Sequence, residues 1–224
     1  MEFVYTIVRF FEAGGIFMFP ILMVGAAGTA IAIERYVTLT LTETRNRSIW
    51  NQVQPLLVEG DFDKARELTG KEGSAISRLL NIGLARQGAV RRREDIEIAM
   101  DESMVEITPQ LEKRTHYLAT FANLATLLGL LGTVSGLIHA FGAVSTVNPA
   151  DKANLLAASI SEAMNCTAFG LMVAVPMLLS HAFLQTKTGE LVASLEMAFI
   201  KFLNVVTERQ SAQSRRAFAQ AVAQ

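Results

Sequence analysis

Polar residues thin out three times along the chain. The runs are 14–33 (GGIFMFPILMVGAAGTAIAI), 117–138 (YLATFANLATLLGLLGTVSGLI) and 154–184 (NLLAASISEAMNCTAFGLMVAVPMLLSHAFL). The first two are uncharged, and the third has one formal charge, Glu162. About 20 apolar residues in a helix cross the roughly 30 Å hydrocarbon core of a bilayer, so each run predicts a transmembrane helix. Ahead of the first, Phe3, Val4, Ile7, Phe10 and Phe11 recur at helical spacing and predict an amphipathic helix lying in the membrane interface over residues 1–13. The pattern divides the chain into that helix, spans at 14–37, 117–143 and 154–184, a polar helical insert at 38–116, a short loop at 144–153 and a C-terminal helix and tail at 185–224. The loop makes the second and third spans an antiparallel hairpin. The fold class is an all-α integral membrane protein, with no internal repeat and no strand-like alternation.

Inside the insert, Gly60 followed by Asp61 predicts a turn and an N-cap, and Gly70 to Gly73 a stop. From Arg93 the chain runs without glycine into the second span, with Pro109 as its only breaker. That predicts one long helix bent near Pro109. The third span continues through QTKTGELVASLEMAFIKFLNVVTERQ, so two of the three spans extend beyond the bilayer.

Composition agrees with this class: 51% of the 224 residues are hydrophobic. The net charge of −1 points neither to nor away from nucleic acid, and charge placement is more telling. Of the 20 Lys and Arg, only Arg9 and Lys152 fall on the side of the N-terminus and the short loop. Positive residues stay on the cytoplasmic side, which predicts a periplasmic N-terminus and a cytoplasmic C-terminus. Arg9, Glu2 and Glu12 ahead of the first run, and the length of that run, speak against a cleaved leader. VRRRED, at 90–95, reads as a solvated face. His116, His139 and His181 are scattered and read as polar tips at the membrane interfaces. No metal-ligand spacing, phosphate loop or nucleophile–base arrangement is present, so no metal, cofactor or enzymatic activity is expected.

Glu162 is the chemical question. An ionised carboxylate at mid-membrane costs at least about 2.5 kcal/mol, so it must be protonated, face water or find a partner. Lining an ion pathway and fixing assembly by an interhelical hydrogen bond are both open. Thr133 lies at a similar depth, roughly 12–14 Å from the outer end of its helix at 1.5 Å per residue, so the two can be neighbours in one polar layer. Thr167 is rotated roughly 140° from Glu162 at 100° per residue. Either a lumen is wide or the two face different neighbours. Ser159 and Asn165 flank Glu162's face. Cys166, the only cysteine, is a candidate for lining or, more simply, a small packing residue. Gly129, Gly132 and Gly136, with Ala122, Thr126 and Ala140, form a small-residue seam for close helix packing.

AGGIFMFPILMVGAAGTAIAIERY, LLGLLGTVSGLIHAF and ISEAMNCTAFGLMVAVP together resemble the ExbB/TolQ/MotA proton-channel family, in its three-helix ExbB/TolQ branch. The resemblance implies a homopentamer in a bacterial inner membrane, its second and third helices surrounding the transmembrane helices of an ExbD/TolR-like dimer. It implies a stator-type channel that turns the proton or sodium motive force into work on a periplasmic or outer-membrane process, with a TonB/TolA-like protein as a further partner. The positions it assigns to the ion pathway are Thr133 in GTV, Glu162 in SEA and Thr167 in CTAFGL. The family motif often has proline and extra threonine where this chain has Thr126, Asn165 and Cys166. A scaffold that gathers a partner without conducting is the alternative.

Overall fold

The structure is a computed structural model that describes residues 11, 14–87, 93–145 and 148–222, with backbone alone at 210 and from 212 onward. The interfacial helix expected at 1–13 lies outside the described residues except for Phe11. The described elements are all helices: α1 (Met18–Glu59), α2 (Phe62–Lys71), α3 (Ala75–Gln87), α4 (Arg93–Glu112), α5 (Thr115–Val144) and α6 (Lys152–Val222). Three helical stretches are long and apolar enough to cross a membrane, Met18–Glu59, Arg93–Val144 and Lys152–Arg209.

Local chemistry accounts for the helix ends. Gly15, at φ 75°, turns the chain before α1. Pro20 falls in the first turn of α1, where a missing N–H would have had no helical partner. At the other end Gly60 takes φ 83°; its N–H donates to the Leu57 carbonyl (3.2 Å) and that of Asp61 to the Leu56 carbonyl (2.9 Å). This closes α1 by the glycine-dependent route. Asp61 then caps α2 by accepting from the Lys64 N–H. The turn and cap fall where the sequence puts them.

Two expectations are corrected. The helix entering the second span is not one uninterrupted helix: Pro109 lies inside α4, which ends at Glu112. It breaks at Lys113–Arg114, where Arg114 takes a left-handed φ of 66° and its guanidinium reaches Glu34 (3.4 Å). Nothing in the residue types announces this, since a non-glycine residue rarely adopts positive φ. The uninterrupted helices that outrun a bilayer are therefore α1 and α6: the third span continues as expected, and the first span, not the second, is the other. At 1.5 Å per residue their 42 and 71 residues run roughly 63 and 105 Å.

The chain forms two compact units. One comprises the described part of Met1–Arg35 with Arg114–Gln185, the other Tyr36–Lys113 with Thr186–Gln224. The core of the first is Met18 and Ile21 from α1, Ala122 and Ala125 from α5, and Cys166, Phe169, Ala174 and Met177 from α6. Its residues are small where helices must come close and flexible where gaps must be filled. The second unit buries Leu39, Val53, Leu57, Leu79, Leu80, Ile96, Met100 and Phe202. Asn46 in α1 accepts from the Ile76 N–H at the start of α3 (3.3 Å), satisfying one of the donors a helix start leaves open.

Candidate functional site

The candidate residues sit where α5 and α6 cross in the first unit. A methyl group placed on Gly170 would lie 2.7 Å from the Ala125 carbonyl oxygen and 3.2 Å from the Gly129 Cα. One on Gly129 would lie 3.2 Å from the Thr167 Cα. The two backbones touch with nothing between them, which only glycine permits. Further along, Gly132 receives the Cys166 side chain, and a methyl on Gly136 would lie 2.9 Å from the Ala163 Cβ. The structure thus places the glycine seam of the second span against a matching seam on the third: Ala163, Cys166, Gly170, Ala174. That second seam was missed, although its small residues recur at helical spacing.

At this crossing Thr133 and Thr167 meet. The Thr167 hydroxyl donates to the Gly129 carbonyl (2.9 Å), the Thr133 hydroxyl reaches the same carbonyl (3.1 Å), and the two hydroxyl oxygens contact each other. Two helices are tied by a knot of three polar atoms. Both threonines are half-buried.

Glu162 faces elsewhere. It borders a cavity of about 360 Å³ lined by Gly14, Gly15, Ile16, Phe17, Gly132, Ser135, Gly136, His139, Ser159 and Glu162. A side chain on Gly15 would collide with the Glu162 carboxylate, and the positive φ there already disfavours one. Among the described residues Glu162 has no hydrogen-bond or ion-pair partner, and within one chain its side chain is exposed. The carboxylate therefore rests against polar space, where water can solvate it.

The angular difference between Glu162 and Thr167 is resolved in favour of different neighbours. Thr133 turns to Thr167, and Gly132 and Gly136 face the cavity beside Glu162. Rotation about the α5 axis separates them. Ser159 lines the cavity, and Asn165 is half-buried on α6. Cys166, 1% exposed, belongs to the core, where it packs under Gly132. His139 and Ser135 were not read as site residues. Their signal was an i, i+4 pair flanking Gly136 on the face that carries the seam. Among the described residues no group of three or more His, Cys, Asp or Glu could hold a metal.

Residues 71–197, more than half of the chain, match the family described as the MotA/TolQ/ExbB proton channel family. The chain is 26% identical over 215 residues to the ExbB-like 3 biopolymer transport protein of Synechocystis, covering 91% of this chain and all of that one. It is 26% identical over 220 residues to the biopolymer transport protein ExbB of Neisseria gonorrhoeae, covering 90% of this chain and 97% of that one. With the Tol-Pal system protein TolQ of Haemophilus influenzae it shares 33% identity over 109 residues, 49% of this chain and 46% of the relative.

Proposed function

The chain belongs to the MotA/TolQ/ExbB proton channel family, a membrane channel subunit of energy-transducing complexes, and from that premise we propose how its residues serve ion-driven work. Five copies assemble in the inner membrane around the transmembrane helices of an ExbD/TolR-like dimer. The N-terminus is periplasmic, and the unit formed by Tyr36–Lys113 and Thr186–Gln224 is cytoplasmic, where the positive residues collect. Protons, or sodium ions, pass by way of Glu162. The work goes to a periplasmic or outer-membrane process such as TonB-dependent transport, through a TonB/TolA-like protein.

The observation that carries this reading is the Glu162 carboxylate beside a cavity that Ser135, His139 and Ser159 also line, in a helix otherwise apolar enough to span the bilayer. A carboxyl kept only for helix packing has reason to be hydrogen-bonded to another helix. Glu162 has no such bond among the described residues. Thr133 and Thr167 act one step back, holding α5 on α6 so that Glu162 and the cavity keep their geometry.

The test is proton uptake by vesicles holding the complex as purified from its own membrane. Glu162→Gln keeps the side chain's size and removes its exchangeable proton. It is expected to reduce uptake to the leak of empty vesicles while the complex still purifies whole. Uptake at the parent rate would remove Glu162 from the pathway, and a parent complex that takes up no more than empty vesicles would leave the non-conducting scaffold as the surviving account.

A further inference from the structure

Glu162 needs a supply of protons, and the cavity beside it contains a second titratable group. His139 projects from α5 one helical turn beyond Ser135, and its Nδ1 lies 3.0 Å from the Ser135 carbonyl oxygen. A carbonyl only accepts, so Nδ1 carries a hydrogen and donates it. A neutral imidazole held this way keeps the Nε2 lone pair for an incoming proton. Imidazole exchanges protons near neutral pH, which serine cannot do. Ser135 and Ser159 line the same space and give water the polar partners it needs to remain there. The cavity of about 360 Å³ is roomy enough for water. Of the described residues that line it, His139 and Glu162 are the titratable ones; Gly14 to Phe17 contribute none.

We propose that this cavity is a water-filled vestibule within each protomer, and that His139 is the relay that brings protons through it from the outer side to Glu162. The inference rests on the ion-pathway reading of Glu162 and adds a route and a residue to it. The route runs beside residues 14–17 of the same chain, so each copy has its own entrance. The glycines fit this arrangement: Gly132 and Gly136 leave room along α5, and Gly15 leaves room for the carboxylate. His139 takes up a proton at Nε2 and releases that proton from Nε2 to vestibule water leading to Glu162, while its Nδ1–H stays on the Ser135 carbonyl, so the transfer is balanced and needs no other reactant.

Two experiments test it. The first asks whether the cavity is wet. In a Cys166→Ala background, Ser135→Cys and Ser159→Cys are treated with a membrane-impermeant, charged thiosulfonate added to the outer face of native membranes. Both are expected to react within minutes, while Ile138→Cys, from the exposed apolar face, stays unmodified. Ser135→Cys and Ser159→Cys as inert as Ile138→Cys would overturn the vestibule.

The second asks whether His139 relays. In vesicles holding the purified complex, His139→Gln is expected to slow inward proton flux roughly tenfold. Positioned proton-transfer groups contribute a hundredfold or more, and water in the vestibule makes up part of the loss. Imidazole in the outer medium is expected to restore flux to His139→Ala, which repair of a purely structural defect would not do. Unchanged flux in His139→Gln, with Glu162→Gln silent, would overturn the relay and leave the ion pathway standing. Full flux in Glu162→Gln would overturn both.

Discussion

At the scale of single residues, the α5–α6 crossing separates two jobs that lie five residues apart on one helix. Glu162 borders polar space, and Thr167 closes a knot with Thr133 over the Gly129 carbonyl. Because both hydroxyls share one acceptor and touch each other, their contributions to stability should not be independent. Thr133→Val and Thr167→Val preserve shape and remove one hydroxyl each. Unfolding in detergent–lipid mixtures, followed for both singles and the double, is expected to show a coupling of about 0.6–1.7 kcal/mol, the range for interhelical hydrogen bonds in membranes. Strict additivity would mean that the two hydroxyls act separately. Glu162 was legible in the sequence because a carboxylate in a long apolar run has a cost that must be met. The partnership of the threonines was not, because rotation about one helix says nothing of which neighbour a side chain meets. The same limit hid His139, whose importance depends on a cavity made by three segments.

At the scale of elements, hydrophobic length announced the three spans because bilayer thickness leaves little freedom. The turn at Gly60 and the cap at Asp61 were readable because each depends on a residue type suited to its backbone conformation. The break at Arg114 was not, since no such residue marks it. Gly170 sits at the tightest point of the α5–α6 contact, faced by the Ala125 carbonyl at 2.7 Å. Backbone cannot move aside as a side chain can. Gly170→Leu is therefore expected to cost about 3 kcal/mol, the upper end for overpacking, read as a lowered unfolding midpoint of the purified protein. In α2, hydrogen bonds from the Lys64 side chain and backbone N–H hold the Asp61 carboxyl below its usual range. A folded value below the unfolded one gives stability that is present above the unfolded value, near 3.9, and lost as pH falls through the folded one. Amide exchange across Phe62–Lys71 is expected to quicken over that acid window in the parent. In Asp61→Asn, which keeps a capping oxygen but does not titrate, the acid-specific quickening should be absent.

At the scale of the whole molecule, one chain leaves most of its spans uncovered. Only 22%, 17% and 22% of the three apolar windows is buried. On α5, Leu127, Leu130, Leu131, Val134 and Ile138 are exposed, and on α6 so are Met164, Met172, Val175 and Leu179. Lipid covers such residues without cost, but it cannot cover Glu162, which is exposed on the same helix as Met164. The proposed ring of copies would give the two kinds of surface different surroundings, with apolar faces outward and acidic positions facing a protein-lined passage. The mass of the protein component in mild detergent, measured by light scattering with the detergent subtracted, is accordingly expected near five times the 24.4 kDa chain, plus any partner that remains bound. Glu162→Gln should leave that mass unchanged, because a site for ion transfer is not what holds the ring. A parent that runs as a single chain and still takes up protons would remove the ring from the mechanism. Loss of the ring in Glu162→Gln would return the carboxyl to the role of an assembly contact, since a passage can lose its ion-carrying group and stay closed while a joint cannot lose its fastening.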